Sequence, residues 1–486
     1  MTTAPTLGGS AARGAATTMG AQVLRIVVHL VGIVVLARIL APADYGLLVM
    51  VTAIIGVGEI LRDFGLSSAA VQAKTLSSEE RDNLFWVNSA IGFGLAIIVL
   101  ALSFALPLVY NEPRLGPITA ALSCTFLVNG ISTQHRANLT RELRFGRLAI
   151  AETVAPILGL ATSIVLAVLG AGYWALVVQQ LVTAIAAMVL LLALTRWLPK
   201  GPHWHTSIRK FVRFGAHLFG VQLLTYASRN VDSIVVGTRF GPSALGLYDR
   251  AFQLLVFPLN QINAPATRVA LPVLSRLQDD SARFGQFLLR GQTVLVYVIT
   301  ALFAFAAFHA ATVIELLLGA QWTASAPIFQ ALAVGGVAQA LSYATYWVFL
   351  TFGLTASNLR YALLTRPILI VAVILGSFWG PVGVAIGYSA TLLAFWPFGL
   401  WWISRITPAP ARSMFGVGIR ALVAAGVSAA ASRLAVAALP LDAVYELIVG
   451  AAVFIVAGIL VMMVWPRVRR DIQSISQLRH SLRSAK

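Results

Sequence analysis

Hydrophobic and polar positions fall into long blocks along this chain. Uncharged runs extend over residues 153–195 and 367–404, and each is about twice as long as the roughly 20 apolar residues that one helical membrane crossing needs. Each run therefore predicts two helices joined by a turn. Glycine-containing breakers stand where those turns are required, at residues 170–174 and 379–383. The pattern predicts an all-α polytopic membrane protein.

Applied to the whole chain, the same reasoning predicts about fourteen transmembrane helices. They form two lobes of six helices and a C-terminal pair. The predicted spans are residues 21–40, 45–61, 85–110, 118–133, 153–169, 173–195, 214–240, 244–266, 291–314, 326–350, 361–379, 381–403, 421–438 and 447–464.

The predicted domain organisation follows from these spans and the polar segments between them. It consists of a cytoplasmic N-terminal segment (1–20), a first six-helix lobe (21–195), a cytoplasmic linker (196–213), a second six-helix lobe (214–403), a second cytoplasmic linker (404–420), helices 13 and 14 (421–465) and a basic cytoplasmic tail (466–486).

Charge is distributed unequally between the two predicted faces. If the N-terminus is cytoplasmic, 27 of the 35 Lys and Arg residues lie on the cytoplasmic face, and Arg366 is counted among them. Because cytoplasmic loops of membrane proteins are enriched in Lys and Arg, we predict both termini in the cytoplasm and a location in the bacterial inner membrane. The same bias accounts for the net charge of +18, so no nucleic-acid partner is predicted.

A short motif is repeated two hundred residues apart. Residues 34–47 read VVLARILAPADYGL and residues 234–247 read IVVGTRFGPSALGL. Both copies fall at the same place in the helix count of their half. The repeat therefore predicts two halves of parallel topology, as some transporters have.

Motifs for enzymatic chemistry are missing from the sequence. It contains no GxxxxGK[ST] nucleotide-binding loop, no HExxH, no GxSxG and only 1 cysteine, so neither an ATP-driven pump, a metal site nor a catalytic site is predicted. The predicted extramembrane segments are also too short to build an enzyme site. We predict that the protein is not an enzyme.

Charged residues inside predicted spans are the candidates for function, since each costs about 2.5–3.5 kcal/mol at the centre of a span. We predict that Arg25, Arg229 and Arg250 bind the phosphates of an anionic lipid, because guanidinium pairs with phosphate through two parallel hydrogen bonds. Under the two-hundred-residue offset, Arg229 corresponds to His29. The structural alternatives are that Arg25 extends to the interface and that Arg229 pairs with Asp232.

Other polar and proline residues suggest coupling and movement. The candidates for ion coupling are His29, Glu59, Asp232 and Asp249, which are titratable groups at or near membrane depth. Pro258 and Pro265 predict a kinked segment that acts as a hinge for alternating access. The alternative is a static kink that ends the helix.

Several segments resemble a known family. They include LARILAPADYGLLVM (36–50), RDFGLSSAAVQ (62–72), QHRANLTRELRFGRL (134–148), SRNVDSIVVG (228–237) and LLLGAQW (316–322). Together with the segment at 246–280, these are similar to the polysaccharide exporter and oligosaccharide flippase family, in particular its colanic-acid and teichuronic-acid exporter-like branch. The match covers about two thirds of the chain and is weak in the last four helices.

The resemblance implies a MATE-like fold and a flippase for lipid-linked oligosaccharides. Such a protein moves polyprenyl-(pyro)phosphate-linked repeat units by alternating access, without a bound cofactor and with coupling to a proton or sodium gradient. Its expected partners are the lipid-linked oligosaccharide and membrane lipids, and candidate protein partners are a polysaccharide polymerase and glycosyltransferases. The alternatives are a peptidoglycan lipid II flippase, a cation-coupled drug exporter and a non-transporting scaffold of a polysaccharide synthesis complex.

Overall fold

The computed structural model describes residues 7–63, 66–73, 75–203, 205–206 and 209–474, and in these residues it contains helices and no strands. The first half contains α1 (Leu7–Ile39), α2 (Pro42–Asp63), α3 (Leu66–Gln72), α4 (Ser78–Tyr110), α5 (Leu115–Arg141), α6 (Phe145–Val168) and α7 (Tyr173–Thr195). The second half contains α8 (Arg209–Arg276), α9 (Ser281–Phe308), α10 (Ala310–Leu318), α11 (Ala326–Thr351), α12 (Thr355–Gly376), α13 (Gly380–Ile406), α14 (Ala411–Ala437) and α15 (Ala443–Val464).

These helices have the lengths and composition of membrane spans. Among the described residues, 11 segments are long and apolar enough to cross a membrane, and one of them, Thr355–Ile406, contains both α12 and α13. The two predicted spans at 214–240 and 244–266 lie in α8. The predicted all-α polytopic fold is therefore confirmed. The segment 1–20 is helical from Leu7 onward.

One non-helical residue lies between the two predicted spans in α8. Gly241 has φ 79° and ψ −177°, whereas the rest of α8 keeps helical dihedral angles. A positive φ is accessible to glycine at little cost because it has no Cβ. Gly241 therefore divides α8 into a first arm (209–240) and a second arm (242–276).

The second arm does not end at its prolines. It stays helical past Pro258 and Pro265 and continues to Arg276. The alternative in which a static kink ends the helix is therefore wrong, while the role of these prolines as hinges remains a prediction. The helix is longer than the predicted span of 244–266 because its last turns carry polar residues that hydropathy excludes.

The ninth predicted span, 291–314, is divided in the structure. α9 ends at Phe308, His309 leaves the helical region with φ −108° and ψ 26°, and α10 begins at Ala310. The His309 side chain is buried, with Nε2 2.9 Å from Ser432 Oγ and Nδ1 3.4 Å from Glu446 Oε1. These contacts with α14 and α15 hold His309 at the break, and hydropathy alone gives no sign of them.

The chain packs as two compact units, Met1–Gly246 and Leu247–Lys486. In the first unit α4 packs on α5, where Gly92 and Gly130 face each other so closely that an added Cβ on either would overlap the backbone of the other helix. Small residues allow membrane helices this approach. In the second unit α11 packs on α9 and α13, and α14 packs on α9 and α15. The lobe boundaries given above remain a prediction.

The segment after α7 is held against α4 in the first unit. The Asn83 amide donates hydrogen bonds to the carbonyl oxygens of His203 and Thr206 (2.8 and 3.0 Å), and its own oxygen accepts one from the His203 N–H (2.7 Å). The Arg81 guanidinium lies 4.4 Å from the centre of the Trp197 ring. The described part of the predicted linker 196–213 is therefore fixed by specific contacts rather than being a free tether.

The segment after α15 is anchored in the second unit. Residues 466–474 are helical, and the Asp471 carboxylate accepts hydrogen bonds from Arg420 at 2.6 and 3.0 Å and from the Tyr297 hydroxyl at 3.0 Å. A two-point arginine–carboxylate contact fixes both distance and orientation. The start of the predicted tail 466–486 is thus docked on α14 and α9.

Candidate functional site

The two copies of the repeated motif contact each other in the first unit. A Cβ atom added to Gly46 would overlap the carbonyl oxygen of Pro242, and a Cβ added to Gly246 would overlap the carbonyl oxygen of Pro42. The contact is reciprocal, since each copy places its glycine on the proline of the other. Only glycine permits two backbones to approach this closely. We call these four residues the Gly–Pro crossing.

The helix breaks follow the same offset. α1 ends at Ile39 and α2 begins at Pro42, while the break in α8 lies at Gly241, directly before Pro242. The repeat read from the sequence therefore corresponds to a repeated backbone feature. A reciprocal contact is what two related segments produce when they meet about a local twofold axis.

After the Gly–Pro crossing, the following turns of α2 contact the first arm of α8. The Tyr226 hydroxyl donates to the backbone carbonyl oxygens of Thr52 (3.0 Å) and Ala53 (3.2 Å). A Cβ atom on Gly56 would overlap that hydroxyl. This close contact explains why the first arm belongs to the first unit, although the sequence assigns it to the second lobe.

Arg25 pairs with a carboxylate that the sequence analysis missed. Its Nη1 lies 2.7 Å from Glu152 Oε2 in α6, and Nη2 donates to Gln22 Oε1 at 2.8 Å. The side chains of Arg25 and Glu152 are 31% and 30% exposed, so the pair is partly accessible. The alternative in which Arg25 extends to the interface remains a prediction. Glu152 directly precedes the predicted span 153–169. Only the packing of α1 on α6 identifies it as the partner of Arg25.

The two positions related by the repeat are similar in exposure. His29 and Arg229 both have exposed side chains, whereas Asp232, one turn after Arg229, is 2% exposed. The structural alternative, in which Arg229 pairs with Asp232, remains a prediction. The exposure of Arg229 and His29 is compatible with the predicted contact with substrate.

The other predicted carboxylates have arginine partners close in sequence. Glu59 pairs with Arg62 one turn further along α2. Asp249 accepts from Arg250 Nη2 at 2.8 Å and from Gln253 at 3.2 Å. Each is a neutral pair rather than an isolated charge, which lowers the cost of placing it in a membrane. Their role in ion coupling and the role of Arg250 in phosphate binding remain predictions.

Arg366 lies inside a helix, although the charge count places it at the cytoplasmic face. α12 begins at Thr355 and ends at Gly376, so Arg366 lies near the middle of the helix rather than at the predicted cytoplasmic face. Since 22 residues of helix span about 33 Å, close to the thickness of the hydrocarbon core, this position favours membrane depth for Arg366. The predicted span 361–379 already contained this arginine, and that was the signal that it belongs among the intramembrane charges.

Arg366 lines a pocket of the second unit between α11, α12 and α13. The pocket has a volume of about 250 Å³, and three tyrosines line it together with Arg366: Tyr343, Tyr346 and Tyr361. None of these residues was predicted as a site residue. Aromatic side chains in apolar runs are ordinarily read as packing, and only the fold brings them around one arginine.

These features define a multi-pass, all-helical membrane transporter. Its helices match membrane dimensions, charged residues lie inside its predicted spans, and the two copies of its repeat meet at a reciprocal crossing. Residues 35–327 match the sequence profile of the family described as Polysaccharide biosynthesis protein. The chain belongs to this family, in agreement with the resemblance seen in the sequence.

Named relatives are found among polysaccharide biosynthesis proteins. The chain is 27% identical over 387 residues to the lipopolysaccharide biosynthesis protein WzxC of Escherichia coli K12, with 77% of each chain covered. It is 25% identical over 285 residues to the teichuronic acid biosynthesis protein TuaB of Bacillus subtilis 168, covering 58% of this chain and 59% of TuaB. Both relatives are named as biosynthesis proteins of cell-surface polymers, in agreement with the family.

Solved structures confirm the MATE-like fold class. The inward closed conformation of the lipid II flippase MurJ superposes with a TM-score of 0.70 at 14% identity, over 93% of this chain and 98% of that chain. An inward-facing multidrug resistance MATE family transporter superposes with a TM-score of 0.61 at 15% identity, over 80% of this chain and 95% of that chain. At these identities the likeness concerns the fold alone.

Proposed function

We propose that the protein translocates polyprenyl-(pyro)phosphate-linked oligosaccharide repeat units from the cytoplasmic to the outer face of the inner membrane. The observation that carries this proposal is membership of a polysaccharide biosynthesis family by a chain of transporter fold. Arginines at membrane depth add support, because an anionic carrier lipid needs cationic partners while its glycan crosses. The orientation with both termini in the cytoplasm and the alternating-access mechanism are parts of the proposal.

The proposal is tested by lipid extraction from a strain that lacks this protein. We expect a polyprenyl-linked oligosaccharide to accumulate on the cytoplasmic side, and its glycan to identify the substrate. Accumulation of lipid II would favour the peptidoglycan alternative. A strain with unchanged lipids would contradict the flippase proposal and favour a drug exporter or a scaffold.

Arg229 provides a test of the substrate site. We expect Arg229→Ala to insert into the membrane normally and to reduce transport at least about tenfold, because a lost charge-assisted hydrogen bond costs about 1.5–3 kcal/mol. The measurement is clearance of the accumulated lipid-linked glycan, at equal membrane levels of each variant. Arg239→Ala is the control, since Arg239 is exposed near the end of the same arm. Wild-type transport by Arg229→Ala would remove Arg229 from the site.

A further inference from the structure

The pocket between α11, α12 and α13 combines aromatic faces with polar groups. Tyr343, Tyr346, Phe349, Tyr361 and Phe395 supply its aromatic surface. Apolar C–H groups of a sugar ring pack favourably on the negative faces of such rings. An aromatic surface of this kind inside a membrane transporter favours a ligand with a flat apolar face and polar edges.

The polar lining includes a hydroxyl that lacks a partner. Thr345, on α11, is 5% exposed, and among the described residues its Oγ1 has no hydrogen-bond partner. Thr345 lines the pocket. A buried hydroxyl without a partner is costly, and a ligand whose polar group reaches it would satisfy it. Gln339, Ser342 and Asn358 line the same pocket and add amide and hydroxyl groups.

The positive charge of the pocket comes from Arg366. It is half-buried near the middle of α12, directly before Pro367, which lies inside that helix. An arginine at this depth is expensive for the protein, so a binding role is the first explanation to test. Guanidinium recognises carboxylate and phosphate groups through the same planar set of donors.

We propose that this pocket binds one pyranose ring that carries an anionic group, with the ring against the tyrosines and the anion on Arg366. The volume of about 250 Å³ lies below the roughly 300–1,000 Å³ of typical ligand pockets, so it suits one sugar residue rather than a whole repeat unit. This inference rests on the proposed function. It adds a glycan subsite within the second unit to the predicted arginine sites.

The anion has two possible sources, and binding measurements distinguish them. An acidic sugar of the glycan presents a carboxylate, whereas the sugar attached to the carrier lipid presents a phosphate. The full-length protein in lipid nanodiscs is titrated with glucuronate, glucose 1-phosphate and glucose, and saturation-transfer NMR reports binding. We expect at least one anionic sugar to bind about tenfold more tightly than glucose. Preference for glucuronate assigns the anion to the glycan, and preference for glucose 1-phosphate assigns it to the carrier linkage.

Two variants locate the binding. Thr345→Val removes a hydroxyl that has no internal partner, so we expect normal stability and a dissociation constant raised about two- to tenfold for the anionic sugar. Arg366→Gln is expected to raise it about tenfold or more. Thr351→Val is the matched control, because Thr351 is buried on the same helix, its hydroxyl also lacks a partner among the described residues, and it does not line the pocket.

Transport is measured on the same variants in the strain that lacks the chromosomal copy. If wild-type protein clears the lipid-linked glycan and Thr345→Val and Arg366→Gln are impaired relative to Thr351→Val, the pocket is a glycan subsite. If all of them clear it equally, or if the binding of anionic sugars is absent or insensitive to both variants, the pocket proposal is overturned while the proposed function stands. If wild-type protein clears no lipid-linked glycan, the proposed function itself fails.

Discussion

Replacing Gly46 by alanine is expected to lower the free energy of unfolding by about 2–3 kcal/mol and to abolish transport. The added Cβ would overlap the carbonyl oxygen of Pro242, which is a backbone atom and cannot rotate away. α2 and the start of the second arm of α8 would have to separate at the Gly–Pro crossing. Thermal unfolding in detergent measures the stability, and clearance of the accumulated lipid-linked glycan measures the transport.

Gly94→Ala is the matched control for this prediction. Gly94 also lies inside a long helix of the first unit, and a Cβ there would meet no atom within 4 Å. Because alanine is the better helix former by about 1 kcal/mol, Gly94→Ala should be as stable as wild type or slightly more stable. Equal stability of Gly46→Ala and Gly94→Ala would show that the crossing is not tight.

The reciprocal glycine extends the test. Gly246→Ala should be as damaging as Gly46→Ala, since its Cβ would overlap the carbonyl oxygen of Pro42. The double variant should be less destabilised than the sum of the two single variants, because once one substitution has opened the crossing the second meets less resistance. Strict additivity would indicate two independent contacts.

The second large effect is expected from the pair of Arg25 and Glu152. Glu152→Gln leaves the Arg25 guanidinium without its carboxylate and should cost about 2 kcal/mol of stability. Arg25→Gln removes the cation itself and should abolish transport if Arg25 contacts the phosphate of the substrate. The double variant Arg25→Gln with Glu152→Gln is expected to recover stability, since no unpaired charge remains, but not transport.

This double-variant cycle separates the two roles of Arg25. Stability is followed by thermal unfolding, and transport by clearance of the lipid-linked glycan at matched expression. Recovery of both properties in the double variant would reduce Arg25 to a structural partner of Glu152 and would remove it from the substrate site. Loss of stability that persists in the double variant would show that the two residues contribute independently.

The sequence was sufficient for the fold class because hydropathy acts over whole helices. A run such as 153–195 must form two spans, whatever surrounds it, since the bilayer leaves no other way to satisfy the backbone. The prediction was less accurate at helix ends. The second arm of α8 continues to Arg276 and α9 ends at Phe308, because polar side chains and buried contacts such as that of His309 decide where a helix stops.

The candidate site was predictable only in part. Deep charges such as Arg25 and Arg229 stand out in a sequence with few charged residues, but their partners do not. Glu152 is 127 residues from Arg25, and no local pattern connects them. Arg366 was counted at the cytoplasmic face, although it lies inside the predicted span 361–379 and near the middle of α12.

By itself the sequence determined that this chain is a multi-pass helical membrane protein of the polysaccharide biosynthesis family, and it located the repeat around Pro42 and Pro242. The fold class and the repeat follow from composition and short-range pattern, which act within one helix, whereas the family follows from the resemblance of whole segments. Only the tertiary structure decided that the two repeats cross at Gly46 and Gly246, that Arg25 pairs with Glu152, and that Thr345 and Arg366 share a pocket. Such contacts join residues far apart in sequence, and the packing of whole helices determines which of them meet.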